Sequence, residues 1–447
     1  MPTISEKGTH MSGDSKIDIK IFRLAAVFSF IFVFFTAVTN TSLHGAALWS
    51  YAAPLLFFVA GCSFYNGDYF RKKRYSIFML YGLWFVICRW LSGDAFMMSI
   101  NQLSVPMLAA VLLLALPFAC VMEDSRTRRY LDIFCWVTVL GYAVLFAFVY
   151  IGHFRGEQII LVKDYLEFGS EIKEGSLFIK MCNSDDYPTD YLAACNFLLA
   201  LYLTASSWPR RKLLSAFSLL LSGFFSVTVV LIPCRTVLVG ICGGLLLIFL
   251  VFLQRLKISK KMVWSIFFIF CVAGAAIVLL GSDHLYTAVA NNSRSALARL
   301  KTLSGRSWAW EAGLRILIDE PDALLYGFSM DDVMQKILRY DDQGLGHMHN
   351  GFMEALMLTG VPGFLAVTAF SIKLVVSSVR VFFARTAEIT AAHKMMVVAV
   401  AVIFFMNFFD SLLFINRTNT DVLSFFFALF AGYIFETEDT LKAIKHS

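Results

Sequence analysis

Long apolar runs, each bounded by a short polar connection, recur from residue 21 almost to the end of the chain. A bilayer core of roughly 30 Å asks for about 20 apolar residues per helix. On that measure the pattern predicts spans at 21–38, 46–65, 75–92, 103–122, 130–151, 191–208, 213–232, 236–253, 262–280, 363–382, 395–414 and 422–435. The expected fold is an all-α polytopic membrane protein of about twelve transmembrane helices, a single integral domain over residues 1–447. No internal repeat or low-complexity segment divides it.

Two polar intervals are too long to be turns: 152–190, of mixed charge, and 282–350, the longest polar stretch in the chain. Loops of that length are usually functional. In the second, Trp308, Trp310, Leu314, Leu317 and Ile318 fall at helical spacing, Glu311 and Arg315 stand four apart, and Pro321 stops the run. Short helices lying on the membrane surface are expected there. Residues 349–360 read as the start of a further helix, broken at Gly360-Val361-Pro362-Gly363 before the next apolar run.

Composition strengthens the membrane reading, because a chain that is 58% hydrophobic and 16% charged carries more apolar surface than a soluble core absorbs. Residues 1–20 are polar and 21–38 is long enough to span and remain, so no cleavable signal is expected. The net charge of +6 is not pooled on one surface, which argues against nucleic acid as a partner. Basic residues cluster on alternate connections instead: Arg71 to Arg74, Arg126 to Arg129, Arg210 to Lys212, and Arg255 to Lys261. The connections 39–45 and 93–102 hold no Lys or Arg. The positive-inside rule then puts both termini in the cytoplasm and 282–350 on the far side. Most cysteines sit in apolar spans as small hydrophobes; Cys182 and Cys234 lie near the far-side loops, without metal spacing, and are expected to be unpaired.

Candidate chemistry collects on that far side. Arg235, in Pro233-Cys234-Arg235-Thr236, occupies a connection so short that it must stand at a helix end, against the local charge pattern. It either snorkels to lipid phosphates or offers a planar fork to a substrate phosphate. Arg306, in Ser304-Gly305-Arg306-Ser307-Trp308, precedes the surface helix and is either a phosphate ligand or a solvated arginine like Arg294 and Arg299. His347-Met348-His349-Asn350 ends the loop where the chain re-enters the membrane, and histidine is the side chain best suited to move a proton near neutral pH. A surface histidine or a metal pair is the alternative. His44, His153 and His284 complete no ligand pattern, and neither a glycine-rich phosphate loop nor an Asp-x-Asp pair is present, so no metal and no cofactor is expected. Asp410, inside an apolar run with Arg417 just beyond, is either functional or half of a buried pair that fixes helix register.

Several of these residues, in order and spacing, resemble the bacterial O-antigen ligases and their ligase/polymerase relatives. They are Cys234-Arg235-Thr236-Val237-Leu238, Gly305-Arg306 with Trp308 and Gly313-Leu314, Pro321, Gly327, His347-Met348-His349-Asn350 with Glu354, and Gly360-Val361-Pro362-Gly363. The specific likeness covers 235–240 and 300–365. It implies a GT-C-like enzyme of the inner membrane with a periplasmic active site. Such an enzyme moves a polysaccharide from undecaprenyl pyrophosphate to a sugar of the lipid A core, in one inverting step. Residue by residue, the resemblance places the functional arginines at Arg235 and Arg306 and the essential histidine at His349. His347, Asn350, Asp410 and Arg417 follow as substrate-binding candidates. The implied partners are the lipid-linked glycan donor, the lipid A-core acceptor and membrane lipids. An O-antigen polymerase, a transferase of glycans to protein, and a transporter or flippase are the competing readings. The single dominant loop argues against the first, and the lack of repeats and of several midplane charges against the last.

Overall fold

The computed structural model describes residues 81, 84, 85, 87, 88, 91, 92, 125–154, 189–208, 211–231, 235–255, 306–340, 348–386, 389–409, 413 and 421–446. All elements among them are helices: α1 (Ser125–Phe154), α2 (Thr189–Ser207), α3 (Lys212–Leu231), α4 (Arg235–Arg255), α5 (Arg306–Asp319), α6 (Ala323–Tyr326), α7 (Met330–Tyr340), α8 (Gly351–Phe383), α9 (Ala391–Asn407) and α10 (Asp421–His446). The spans expected from 130, 191, 213, 236, 363, 395 and 422 onward lie on α1 to α4 and α8 to α10. Those at 21–38, 46–65, 103–122 and 262–280 lie outside the described residues, as do 155–188 and 282–305 of the two long loops. The described part of the longer loop is helical, as α5 to α7.

Apolar residues face both inward and outward. α2 is buried over 191–200, packs on α1, α3 and α9, and is apolar on every side, as a central helix must be. On α1 the outward residues Ile133, Val137, Leu140, Val144 and Ile151 repeat at helical spacing. α3 carries a second such stripe through Leu213, which is 88% exposed, Phe217, Leu220 and Val227, and α8 a third through Leu365, Ile372, Val375 and Val379. Large apolar side chains on an outer face are the reverse of a helix solvated by water. α3, over Lys212–Val229, and α8 are each long and apolar enough to cross a membrane.

α8 is two helices joined at Gly360, whose backbone (φ 65, ψ −170) is not helical. Pro362 has no N–H to give, so the Leu358 carbonyl loses its helical partner. The neighbouring Thr359 carbonyl is taken by Trp84 Nε1 at 2.9 Å and Cys88 Sγ at 3.8 Å. α6 seats in the kink: Phe328 N donates to Met357 O at 2.8 Å, and a Cβ on Gly327 would stand 2.3 Å from the Leu358 carbonyl carbon. The kink thus ties the loop helices to the bundle.

The far end of α8 is fixed electrostatically. Glu438 of α10 lies beyond that helix's apolar span, its side chain 1% exposed, and accepts from Ser377 Oγ at 2.6 Å, Lys373 at 3.2 Å, Lys442 at 3.1 Å, and Arg380. Burial alone pushes its pKa up; the hydrogen bonds from Ser377, Arg380, Lys442 and Lys373 outweigh that and hold it at about 2, against an ordinary 4.5. A carboxylate depressed on folding stabilises above its unfolded pKa and loses that contribution as the pH falls through its folded one. The cations are partly solvated and therefore screened. Glu438→Gln should lower stability by about 1–2 kcal/mol at neutral pH. The deficit should shrink as the pH falls from 4.5 toward 2, which denaturation midpoints of both proteins in detergent across that range will show.

Candidate functional site

Three helices begin at one end of the bundle. α4 and α9 run antiparallel in close contact: Gly240 faces Met406 and Val402, while Gly244, one turn further on, faces Val402 and Val398. A Cβ on Gly244 would stand 2.7 Å from Val402 Cγ2, so the small residues are what permit this approach. The register brings the first residue of α4, Arg235, to the level of the last residues of α9, Asn407 and Phe408. α8 starts at the same level. Gly351 abuts Asn407, where a Cβ would fall 2.3 Å from Oδ1, and Asn350 Nδ2 donates to Phe408 O at 3.0 Å. α5 reaches the same place, since Trp310 Nε1 donates to Met348 O at 2.7 Å and a Cβ on Gly313 would meet Met348 Cε at 2.8 Å. Arg306 opens α5, one turn before Trp310.

Arg235 thus opens a helix packed on α9, His349 lies two residues before the α8 start that seats on Asn407, and Arg306 opens the helix whose Trp310 bonds to Met348. Each helix start leaves backbone N–H groups without intrahelical partners and carries partial positive charge, a setting that favours anions.

His349 sits in a short, heavily bonded segment. Its φ of 46 is the left-handed region, which non-glycine residues rarely adopt. On one side is Met348, fully buried, with its N–H donated to Glu354 Oε2 at 2.9 Å and its carbonyl held by Trp310. On the other is Asn350, the N-cap of α8, whose Oδ1 accepts from Phe352 N at 2.9 Å and Met353 N at 3.1 Å. Glu354 itself is buried in the first turn, where the helix field favours a carboxylate. Beside this segment Phe352, Phe404 and Phe408 form an aromatic cluster, with ring centroids 5.0 to 5.7 Å apart.

Of the sequence candidates, Arg235 and Arg306 are placed here by backbone, and His349 and Asn350 in full. His347, Asp410 and Arg417 lie outside the described residues. Both ends of the Asn350 amide are engaged in protein bonds, a capping job that its sequence position did not reveal. Asn407 and Trp310 were overlooked as site-builders. An asparagine within the apolar run 395–414 is itself a signal, because a polar side chain there demands a partner.

Among the described residues every element is a helix and large apolar side chains line the outer faces, the class of an all-α membrane protein. Residues 218–368 match the family model described as O-Antigen ligase. The matched stretch runs from α3 into α8 and contains Arg235, Arg306, His347, His349 and Asn350; Asp410 and Arg417 fall beyond it. None of the curated proteins matches the chain. The match supports an enzyme of the general ligase/polymerase kind.

Proposed function

We propose that this chain is an O-antigen ligase. It is a multi-pass glycosyltransferase of the inner membrane that moves a polysaccharide from undecaprenyl pyrophosphate onto the lipid A core at the periplasmic face. The observation that carries the reading is the family match over residues 218–368, which contains Arg235, Arg306 and His349, each at or next to a helix start. Topology supports it, because the opposite end of α8 carries Lys373 and Arg380 beside Lys442 of α10, and basic ends belong to the cytoplasm. The outward apolar stripes fit lipid as their solvent.

The chemistry follows from the charges. Breaking the sugar–pyrophosphate bond leaves negative charge on the departing pyrophosphate and oxocarbenium character on the anomeric carbon. Arg235 and Arg306, with the N–H groups of their helix starts, stabilise that leaving group. His349 takes the proton of the acceptor hydroxyl as its oxygen attacks from the opposite face. One displacement of this kind inverts the anomeric centre. Asp410 and Arg417 remain candidates for binding substrate.

The glycolipid pattern of a strain lacking the gene tests the assignment. A ligase predicts bare lipid A-core together with accumulated long lipid-linked chains. Core capped by a single repeat would mean a polymerase, and normal lipopolysaccharide would rule out both.

A further inference from the structure

We propose that Glu354 is a positioning residue that acts through His349, a role that rests on the glycosyl-transfer reading above. The residue preceding His349 is held on both its backbone N–H and its carbonyl, from two different helices. Glu354 Oε2, from the first turn of α8, holds the Met348 N–H at 2.9 Å, and Trp310 Nε1, from α5, holds the Met348 carbonyl at 2.7 Å. Met348 cannot shift to escape them, because it is fully buried and its Sδ and Cε fill the space left by Gly313. His349 follows directly with φ 46. A left-handed conformation in a residue with a branched ring persists only where its surroundings over-determine it, and such outliers gather where a side chain must be aimed.

The clamp supplies that constraint. Released from it, the Met348–His349 peptide is free to rotate into the ordinary negative-φ region, which re-aims the imidazole. The start of α8 does not depend on Glu354, since Asn350 caps it through Phe352 N and Met353 N. Loss of the Glu354 side chain should thus disturb the aim of His349 more than the helix beneath it. What the Met348 N–H requires is an acceptor, and a glutamine amide oxygen at the same place provides one.

The test is steady-state transfer by the full chain in detergent, with lipid-linked glycan as donor. It uses Glu354→Gln, Glu354→Ala and Trp310→Phe, each alone and in a His349→Ala background. Glu354→Gln should keep kcat within about threefold of wild type, because the acceptor is retained. Glu354→Ala and Trp310→Phe should lower kcat about 10- to 100-fold, the cost of a misplaced catalytic group, with donor KM within about twofold. In the His349→Ala background neither should cost anything more, because residues acting through one group are not additive. Should Glu354→Ala fail to fold, Trp310→Phe carries the same prediction without removing a buried carboxylate.

Wild-type kcat in Glu354→Ala, or an undiminished further loss in the His349→Ala background, overturns the proposal. So does failure of Glu354→Gln as complete as that of Glu354→Ala with an unchanged melting temperature, which would make the charge the essential feature. If His349→Ala alone turns over like wild type, the functional reading of His349 fails first and the positioning role falls with it; the two failures are therefore distinguishable.

Discussion

Replacing His349 should cut turnover by about 10²- to 10⁴-fold, the range for loss of a positioned general base, while donor binding changes little. In the proposed mechanism donor affinity rests on the arginines and helix starts, whereas the imidazole meets the acceptor hydroxyl. Alanine at φ 46 carries backbone strain of its own, so His349→Asn is the better variant: asparagine tolerates the left-handed region and still removes the ring. Both variants should lose rate to a similar extent. Single-turnover rates, with donor binding measured in parallel, check this. Retained turnover, or lost donor binding, would make His349 a binding or structural residue.

Arg235→Lys should be nearly as damaging, with kcat/KM down by about 10²- to 10³-fold although the charge is kept. A guanidinium grips two phosphoryl oxygens at once and in one plane; an ammonium is a point charge on a flexible stem. The position sharpens the expectation. Arg235 is the first residue of α4, and the Gly240 and Gly244 contacts lock that helix to α9, so a longer reach cannot be recovered by sliding the helix. Transfer assays over a range of donor concentrations separate the two roles of this arginine. An arginine that only snorkels to lipid would leave the lysine variant with near-normal turnover.

Much of the helical order was legible from periodicity. α1 to α4 lie where the apolar runs lie, and the spacing of Trp308 to Ile318 corresponds to α5, complete with the Arg315–Glu311 pair at 2.5 Å. The break at Gly360-Val361-Pro362-Gly363 is a kink inside α8, as proline chemistry requires. The misses have a common physical cause. α9 stops at Asn407 although apolar residues continue beyond it, because Asn407 Oδ1 captures the Leu413 N–H at 2.9 Å. α10 runs on to His446, well past the end of its apolar stretch, because the cations that satisfy Glu438 come partly from α8, 58 and 65 residues away. Hydropathy records what a residue is, not which distant group will meet it.

Arg235, Arg306 and His349 stood out in the sequence as polar residues near helix ends, but how those ends pack was not legible there. The α4–α9 register and the seating of Gly351 on Asn407 depend on glycines that are silent in a hydropathy pattern. Trp310 illustrates the same limit, since it counted only as a helix-face residue until its indole N–H was found on Met348 O.

The central claim is that this chain by itself transfers a glycan from a pyrophosphate-linked lipid to the lipid A core. The most direct test combines the purified full-length protein in detergent with lipid-linked polysaccharide and lipid A-core acceptor, and resolves the products by gel and mass spectrometry. The account predicts polysaccharide joined to the core by an inverted anomeric linkage, with release of undecaprenyl pyrophosphate and little product from Arg235→Lys or His349→Asn. Longer lipid-linked chains with an untouched core, or product formed equally well by both variants, would contradict it.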